Sequence, residues 1–294
     1  MVKIGNYSSG LDYLGSPETK FARMKELGYD AVDEDLLDIR QDIYQDVNAM
    51  EMHCRQVRQA AEHHGIEISQ VHGPWPTDDK TEESRKKVWD CMHRAVYGCH
   101  LLGSKYLVIH PQMPYGWGKE ENADFSESLT VALMRELMPD CEKYGVTLCL
   151  ENMPMKAHRI SVMEKIVEAV KQVDSPNIGI CLDTGHANVF GQDLGDVVRL
   201  CAPYLRVVHV HDNNGEQDQH LLPYLGTANW DSFVNAMAEI GYAGVLSLET
   251  EGAVSGRMPA AVLAQAEKTT AAAARHLADA IEQRKSERIR RNLK

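Results

Sequence analysis

At 294 residues, with 44% hydrophobic residues, the chain is long enough for one large core or for two ordinary domains. Its formal charge of −12 opposes encounter with a polyanion, which disfavours nucleic acid as a partner, although a local basic groove could override that. The seven cysteines form no CxxC pair and mostly fall in apolar periodic stretches, so they read as buried reduced thiols, not as a disulfide framework.

Met1-Val2-Lys3-Ile4-Gly5 runs directly into a strand-like pattern without a charged region followed by an apolar one. No secretory leader is therefore expected, no apolar run approaches the length of a membrane span, and the expectation is a cytoplasmic protein with no membrane partner. Along the chain, short apolar runs alternate with amphipathic helical stretches, and no Pro/Gly/Ser-rich linker or low-complexity segment intervenes. Strands are predicted over 2–6, 31–33, 68–72, 106–110, 147–151, 178–183, 207–211 and 245–249. The helices between them are predicted over 17–27, 47–64, 82–102, 128–144, 162–173, 194–201 and 230–240, with a long alanine-rich helix over 259–283. Ser16-Pro17-Glu18 reads as a helix start with proline in the first turn, and a glycine follows several of the predicted helices. Residues 284–294 read as a solvated, fraying basic tail, with a nucleic-acid arm as the alternative.

Eight strand–helix units spaced by about 30–40 residues match an α/β fold of the (β/α)8 TIM-barrel type, a single domain over 1–283 followed by the tail. A doubly wound open sheet is the structural competitor, but no Gly-rich phosphate turn follows the first strand. Strands of such a barrel are buried on both faces and should be apolar, so charged residues at their C-terminal ends are informative. Six consecutive strands end in His72, His110, Glu151, Asp183, His209 and Glu249, at the end of the barrel where chemistry takes place. Any one of these could be a hydrogen-bonded core histidine or an ion-pairing carboxylate. Several carboxylates converging in a low-dielectric mouth would repel each other, and a divalent cation resolves that conflict. Carboxylate and imidazole donors suit manganese, magnesium, cobalt or zinc, and the absence of thiolates argues against a structural zinc site. His186 lies three residues beyond Asp183, and Asp218 and His220 form another carboxylate–imidazole pair after the seventh strand. His211 is left out of the set, on the reading that it faces away from His209.

These motifs resemble the xylose-isomerase-like TIM-barrel superfamily, which includes sugar isomerases and epimerases and also endonuclease IV. The resemblance rests on His72-Gly73-Pro74, Val108-Ile109-His110-Pro111, Leu150-Glu151-Asn152-Met153-Pro154 and Cys181-Leu182-Asp183-Thr184-Gly185-His186, with His209-Val210-His211-Asp212-Asn213, Asp218-Gln219-His220 and Leu248-Glu249. It spans roughly residues 2–280 with the motifs in order. In epimerase-like members it implies one divalent metal held by Glu151, Asp183, His209 and Glu249, with His186 touching a substrate oxygen. The implied activity is isomerisation or epimerisation of a sugar, keto-sugar or polyol by proton transfer through a metal-stabilised enediolate, with Glu151 and Glu249 as the catalytic carboxylates.

Two other chemistries fit the same motifs. One is a different small-molecule lyase on this site, a dehydratase or a C-glycoside-cleaving enzyme. The other is an endonuclease IV-like phosphodiesterase with three zinc ions, whose ligands map onto His72, His110, Glu151, Asp183, His186, His209, Asp218, His220 and Glu249. Against the nuclease stand the acidic balance and mouth loops without clustered Lys and Arg. The loop Gly73-Pro74-Trp75-Pro76-Thr77-Asp78-Asp79 also adds negative charge where the nuclease inserts an aromatic loop into DNA. A silent barrel serving as a binding module has no need of two potential bases. Trp75 and Trp117, with Tyr115 nearby, are expected to wall a carbohydrate site, together with His72, His110, His186 and His220. Arg159, in the loop after the fifth strand, reads as solvent-exposed, with contact to a phosphate or carboxylate as the alternative. One of Asp33, Glu34 and Asp35 is expected to hydrogen-bond substrate or a ligand histidine. By analogy with look-alike families the expected partners are a small carbohydrate and further copies of the chain.

Overall fold

The computed structural model describes residues 1–77 and 80–292. Its strands are β1 Lys3–Tyr7, β2 Ala31–Asp35, β3 Glu67–His72, β4 Tyr106–Ile109, β5 Thr147–Glu151, β6 Ile178–Asp183, β7 Leu205–Val210 and β8 Val245–Leu248. They pair in parallel in chain order, and β1 pairs with β8 to close the ring. The alternating pattern is thus a (β/α)8 barrel, and ring closure excludes the open doubly wound sheet. Asp78 and Asp79, counted above as loop charges, lie outside the described residues.

Around the barrel run α1 Pro17–Leu27, α2 Val47–His64, α3 Glu82–Leu102, α4 Ala123–Tyr144, α5 Met163–Val173, α6 Thr184–Val189, α7 Leu194–Cys201, α8 Trp230–Glu239 and α9 Ala260–Asn292. The start of α1 follows its sequence signal: Ser16 caps the first turn by accepting from the Thr19 N–H, and Pro17 follows it. Three elements differ from expectation. Helix α4 begins earlier because Asn122 caps it, accepting from the Phe125 N–H at 3.1 Å, although its polar first turn carries no periodic signal. Helix α6 is a short insertion nucleated by the Asp183 side chain and too brief for any apolar period. Helix α9 continues through the stretch read as a fraying tail, as far as Asn292. There Lys285–Glu282 and Arg284–Glu287 ion pairs at helical spacing extend it.

Strand alternation places the site. On β5, Leu148 and Leu150 join the large core shared with the helices, as do Ile180 and Leu182 on β6 and Val208 and Val210 on β7. The intervening Cys149, Cys181 and Val207 form a separate apolar layer with Val108, the filling of the barrel axis. Two residues further along the same faces come His110, Glu151, Asp183 and His209. The site is therefore a polar layer resting on an apolar plug.

Candidate active site

Glu151 from β5, His209 from β7 and Glu249 just after β8 meet on the barrel axis, all buried. His209 Nδ1 lies 3.2 Å from Glu151 Oε1 and 3.2 Å from Glu249 Oε1. On the other side of the ring, His209 Nε2–H donates to Asp33 Oδ2 at 2.9 Å. A carboxylate can only accept, so this bond keeps a proton on Nε2, and it is Nδ1 that faces the two glutamates and would give up its proton to a bound cation. Asp33 therefore takes the supporting role expected of the acidic run on β2. It also accepts from Gln70 Nε2 at 2.9 Å.

His72 and His110 line the mouth beside this centre. Their Nε2 atoms are 3.0 Å apart. His110 Nε2 is 3.2 Å from Glu151 Oε2, and His72 Nδ1 is 3.4 Å from Glu249 Oε1. Asp183 sits one step aside. Its carboxylate caps α6 by accepting from the His186 N–H at 2.6 Å, and it also accepts from His211 Nε2 at 3.0 Å. It meets the centre through His186, whose Nδ1 is 3.6 Å from Asp183 Oδ1 and 3.4 Å from Glu151 Oε1. His186 Nδ1–H donates to the Asn152 carbonyl at 2.8 Å, which turns Nε2 toward Asp218 at 3.3 Å.

His211 does not face away. Side chains two apart on a strand share a face, so the expectation misapplied the alternation. Its ring stacks flat on His220, centroids 4.1 Å apart and planes 2° from parallel. Ligand atoms of His186, His211, Asp218 and His220 lie within 4.8 Å of one another, and those of Asp33, His72, His209 and Glu249 do the same. Both sets could hold a metal ion. Gly185 makes the first arrangement possible, since a Cβ there would lie 2.0 Å from His211 Cε1.

Charge is distributed between carboxylates and imidazoles. Burial opposes ionisation of Glu151, but the His209 and His110 imidazoles outweigh it and hold its carboxyl well below the usual range. Burial likewise opposes the charge on Glu249, yet His209 and His72 bring it down to about 2. His209 is held well above the ordinary histidine value despite its burial, by Glu249, Glu151 and Asp33 among others. Burial wins at His110, which is pushed down. His220, flanked by Asp218 and Glu251, rises to about 12 against its burial. The carboxylates, expected to repel one another unless a cation intervenes, are thus neutralised in part by the histidines themselves.

Above the centre opens a cavity of about 860 Å3, lined among others by Glu151, Glu249, His72, His110, His186 and His220. Trp75 packs edge-on to His110 at 4.6 Å, and Trp117 follows at 5.5 Å from Trp75, so both expected tryptophans line it. Tyr115 does not line it and packs near Phe125 instead. Arg159 is committed to Asp124 and Glu127. The lining also includes Met153 of the strand-five motif, and Tyr7, Ser9, Leu37, Met155 and Val189, which no sequence signal marks. Tyr7 sits at the end of an apolar strand and reads as core; only its place in the last position of β1 could have flagged it.

The sequence profile of the xylose isomerase-like TIM barrel family matches residues 21–280. The chain is similar to the uncharacterized protein MJ1311 of Methanocaldococcus jannaschii, with 33% identity over 188 residues, 62% of this chain and 64% of that one. It is 26% identical over 208 residues to the D-psicose 3-epimerase of Ruminiclostridium cellulolyticum, 68% of either chain. A probable endonuclease 4 of Mesomycoplasma hyopneumoniae aligns at 28% over 163 residues, 51% of this chain and 57% of that one. The chain thus spans between about half and two thirds of the length of these curated relatives. Among solved structures, a D-tagatose 3-epimerase-like protein superposes with a TM-score of 0.75 at 24% identity, covering 97% of this chain and 99% of that one, which shows the shared fold.

Proposed function

We propose, given that the chain belongs to the xylose isomerase-like TIM barrel family, that it is a divalent-metal-dependent isomerase or epimerase of a keto-sugar or related polyol. The observation that carries this reading is the convergence of two ionised carboxylates, from β5 and from just after β8, on His209 Nδ1. Glu151 Oε2 and Glu249 Oε1 are buried, with only the His110, His72 and His209 imidazoles at 3.2–3.4 Å beside them. Two buried carboxylates and an imidazole nitrogen able to release its proton are a donor set suited to a hard or borderline divalent cation. The residues present therefore fit a metal held by Glu151, His209 and Glu249, with Asp183 beside them. When bound, such an ion supplies a Lewis acid for charge developing on substrate oxygens.

The protein's own groups account for the rest. Glu151 and Glu249 are ionised at neutral pH, so either can accept a carbon-bound proton. A substrate held between them exposes opposite faces to the two carboxyls. Removal by one leaves that carboxyl protonated. The other, having first taken a proton from water in the cavity, returns it to the opposite face and inverts the carbon, and the first then releases its proton to water. On this reading His186, which lines the cavity, binds a substrate hydroxyl, and the Trp75 face takes the C–H side of a sugar.

Metal analysis of the purified protein, joined to a panel of ketoses and cyclitol ketones, tests the proposal. About one equivalent of manganese, cobalt, magnesium or zinc with turnover of a ketose is expected. The second cluster, His186, His211, Asp218 and His220, could hold a further ion and favours one alternative, an endonuclease IV-like zinc phosphodiesterase. Three equivalents of zinc and cleavage of an abasic-site duplex would establish that alternative instead.

A further inference from the structure

The walls of the cavity narrow the substrate class, on the premise that the proposed sugar chemistry is right. Among the described residues that line it there is no lysine or arginine, the protonated His220 is already paired with Asp218 and Glu251, and Asp35 and Glu216 add further carboxylates beyond the two of the centre. The basic side chain that sequence reading left open for an anion, Arg159, is tied to Asp124 and Glu127.

Backbone amides could still hold a phosphate, because barrels of this type often bind one with the loops after the last strands and a short helix start. Here both sites are filled from within. The amide at the start of α6 is taken by the Asp183 carboxylate. In the loop after β7, Asp212 accepts from the backbone N–H groups of Asn213, Tyr224, Gly226 and Ala228 at 2.8–3.1 Å, and from Trp230 Nε1 at 2.9 Å. A carboxylate from the chain itself occupies the amide nest that a phosphoryl group would need.

Size and shape point outward. A cavity of about 860 Å3 lies near the top of the roughly 300–1,000 Å3 range of small-ligand pockets and exceeds one sugar ring several-fold. From the centre, an aromatic series leads to the rim: His110 is 3.2 Å from Glu151, Trp75 is 4.6 Å from His110, and Trp117 is 5.5 Å from Trp75. Trp117 is 54% exposed, unusual for a tryptophan that packs only for structure. We infer that the cavity takes an uncharged saccharide of more than one ring, with the reacting keto-sugar over Glu151 and Glu249 and the outer ring against Trp117.

The test compares D-fructose, D-fructose 6-phosphate and 6-O-glucosyl-fructose, three forms of one ketose that differ at one terminal oxygen. Binding to the manganese-reconstituted protein is measured by calorimetry, and solvent-deuterium incorporation is followed in parallel. The glucosyl compound should bind about fivefold to tenfold tighter than fructose. The phosphate should bind about tenfold weaker, or not measurably. In Trp117→Ala the ratio between the glucosyl compound and fructose should fall toward one. That order of affinities without deuterium exchange supports the pocket assignment and retires the proton-transfer reading. Equal or tighter binding of the phosphate, no gain from the glucosyl unit, a gain untouched by Trp117→Ala, or no binding of the glucosyl compound overturns the inference.

Discussion

Asp33→Asn is the perturbation that probes the centre without touching a proposed ligand. In the folded protein Asp33 is fully buried, and its Oδ2 accepts from His209 Nε2 and from Gln70 Nε2, each at 2.9 Å. Its Oδ1 is buried with no hydrogen-bond partner. An asparagine of the same shape has two orientations. With its oxygen toward His209 the tautomer survives, but the charge that makes Nδ1 a strong donor is gone, and the amide nitrogen occupies the unpartnered position. With its nitrogen toward His209, Nε2 must become the acceptor, and the proton moves to Nδ1, where it blocks coordination. Loss of such a supporting carboxylate costs about 10–100-fold in metal affinity, or about 1.4–2.7 kcal/mol. Competition against a chelator of known affinity measures this directly, with thermal unfolding to show that the barrel persists. Metal affinity within twofold of the parent would refute the role assigned to Asp33, and with it the argument that His209 offers Nδ1.

Glu249→Gln should lower turnover by at least about 100-fold on any substrate the parent converts; full activity removes Glu249 as a base. Gly185→Ala places a methyl 2.0 Å from His211 Cε1 and 2.3 Å from Nδ1, against a ring already stacked on His220. It should destabilise the fold by about 1–3 kcal/mol, read from the denaturant midpoint, and an unshifted midpoint shows that the ring is free to move. Burial pushes the Glu34 carboxyl up to about 8, from an ordinary value of 4.5. It stays neutral in the folded chain while the unfolded chain ionises, so its contribution is full below pH 4.5 and is lost as pH rises through 8. Glu34→Gln should flatten that decline and unfold at a higher temperature than the parent at pH 8; parallel pH profiles contradict this.

The barrel was legible because its signals are local: helices bounded by caps and glycines, and strands short enough to end in a visible polar residue. The six strand-end residues were legible for the same reason, since an acidic or imidazole side chain stands out after an apolar run. Less was readable where the evidence is in three dimensions. Asp33 was one of three neighbouring acids, and only the ring geometry shows that it, not Asp35, holds His209. The amides gathered on Asp212 come from residues up to sixteen positions away, which no spacing rule anticipates. Helix α6 depends on one side-chain cap, and the outer helix of 284–292 on charge pairs, so neither leaves an apolar period.

On the proposed mechanism, a cation at Glu151, His209 and Glu249 enables transfer of a carbon-bound proton. The most direct measurement is solvent-deuterium incorporation into a converted ketose, followed by proton NMR as manganese is titrated into chelator-stripped protein. No exchange is expected in the stripped protein, and the rate should rise to a plateau near one equivalent. Exchange at full rate without metal would contradict that mechanism.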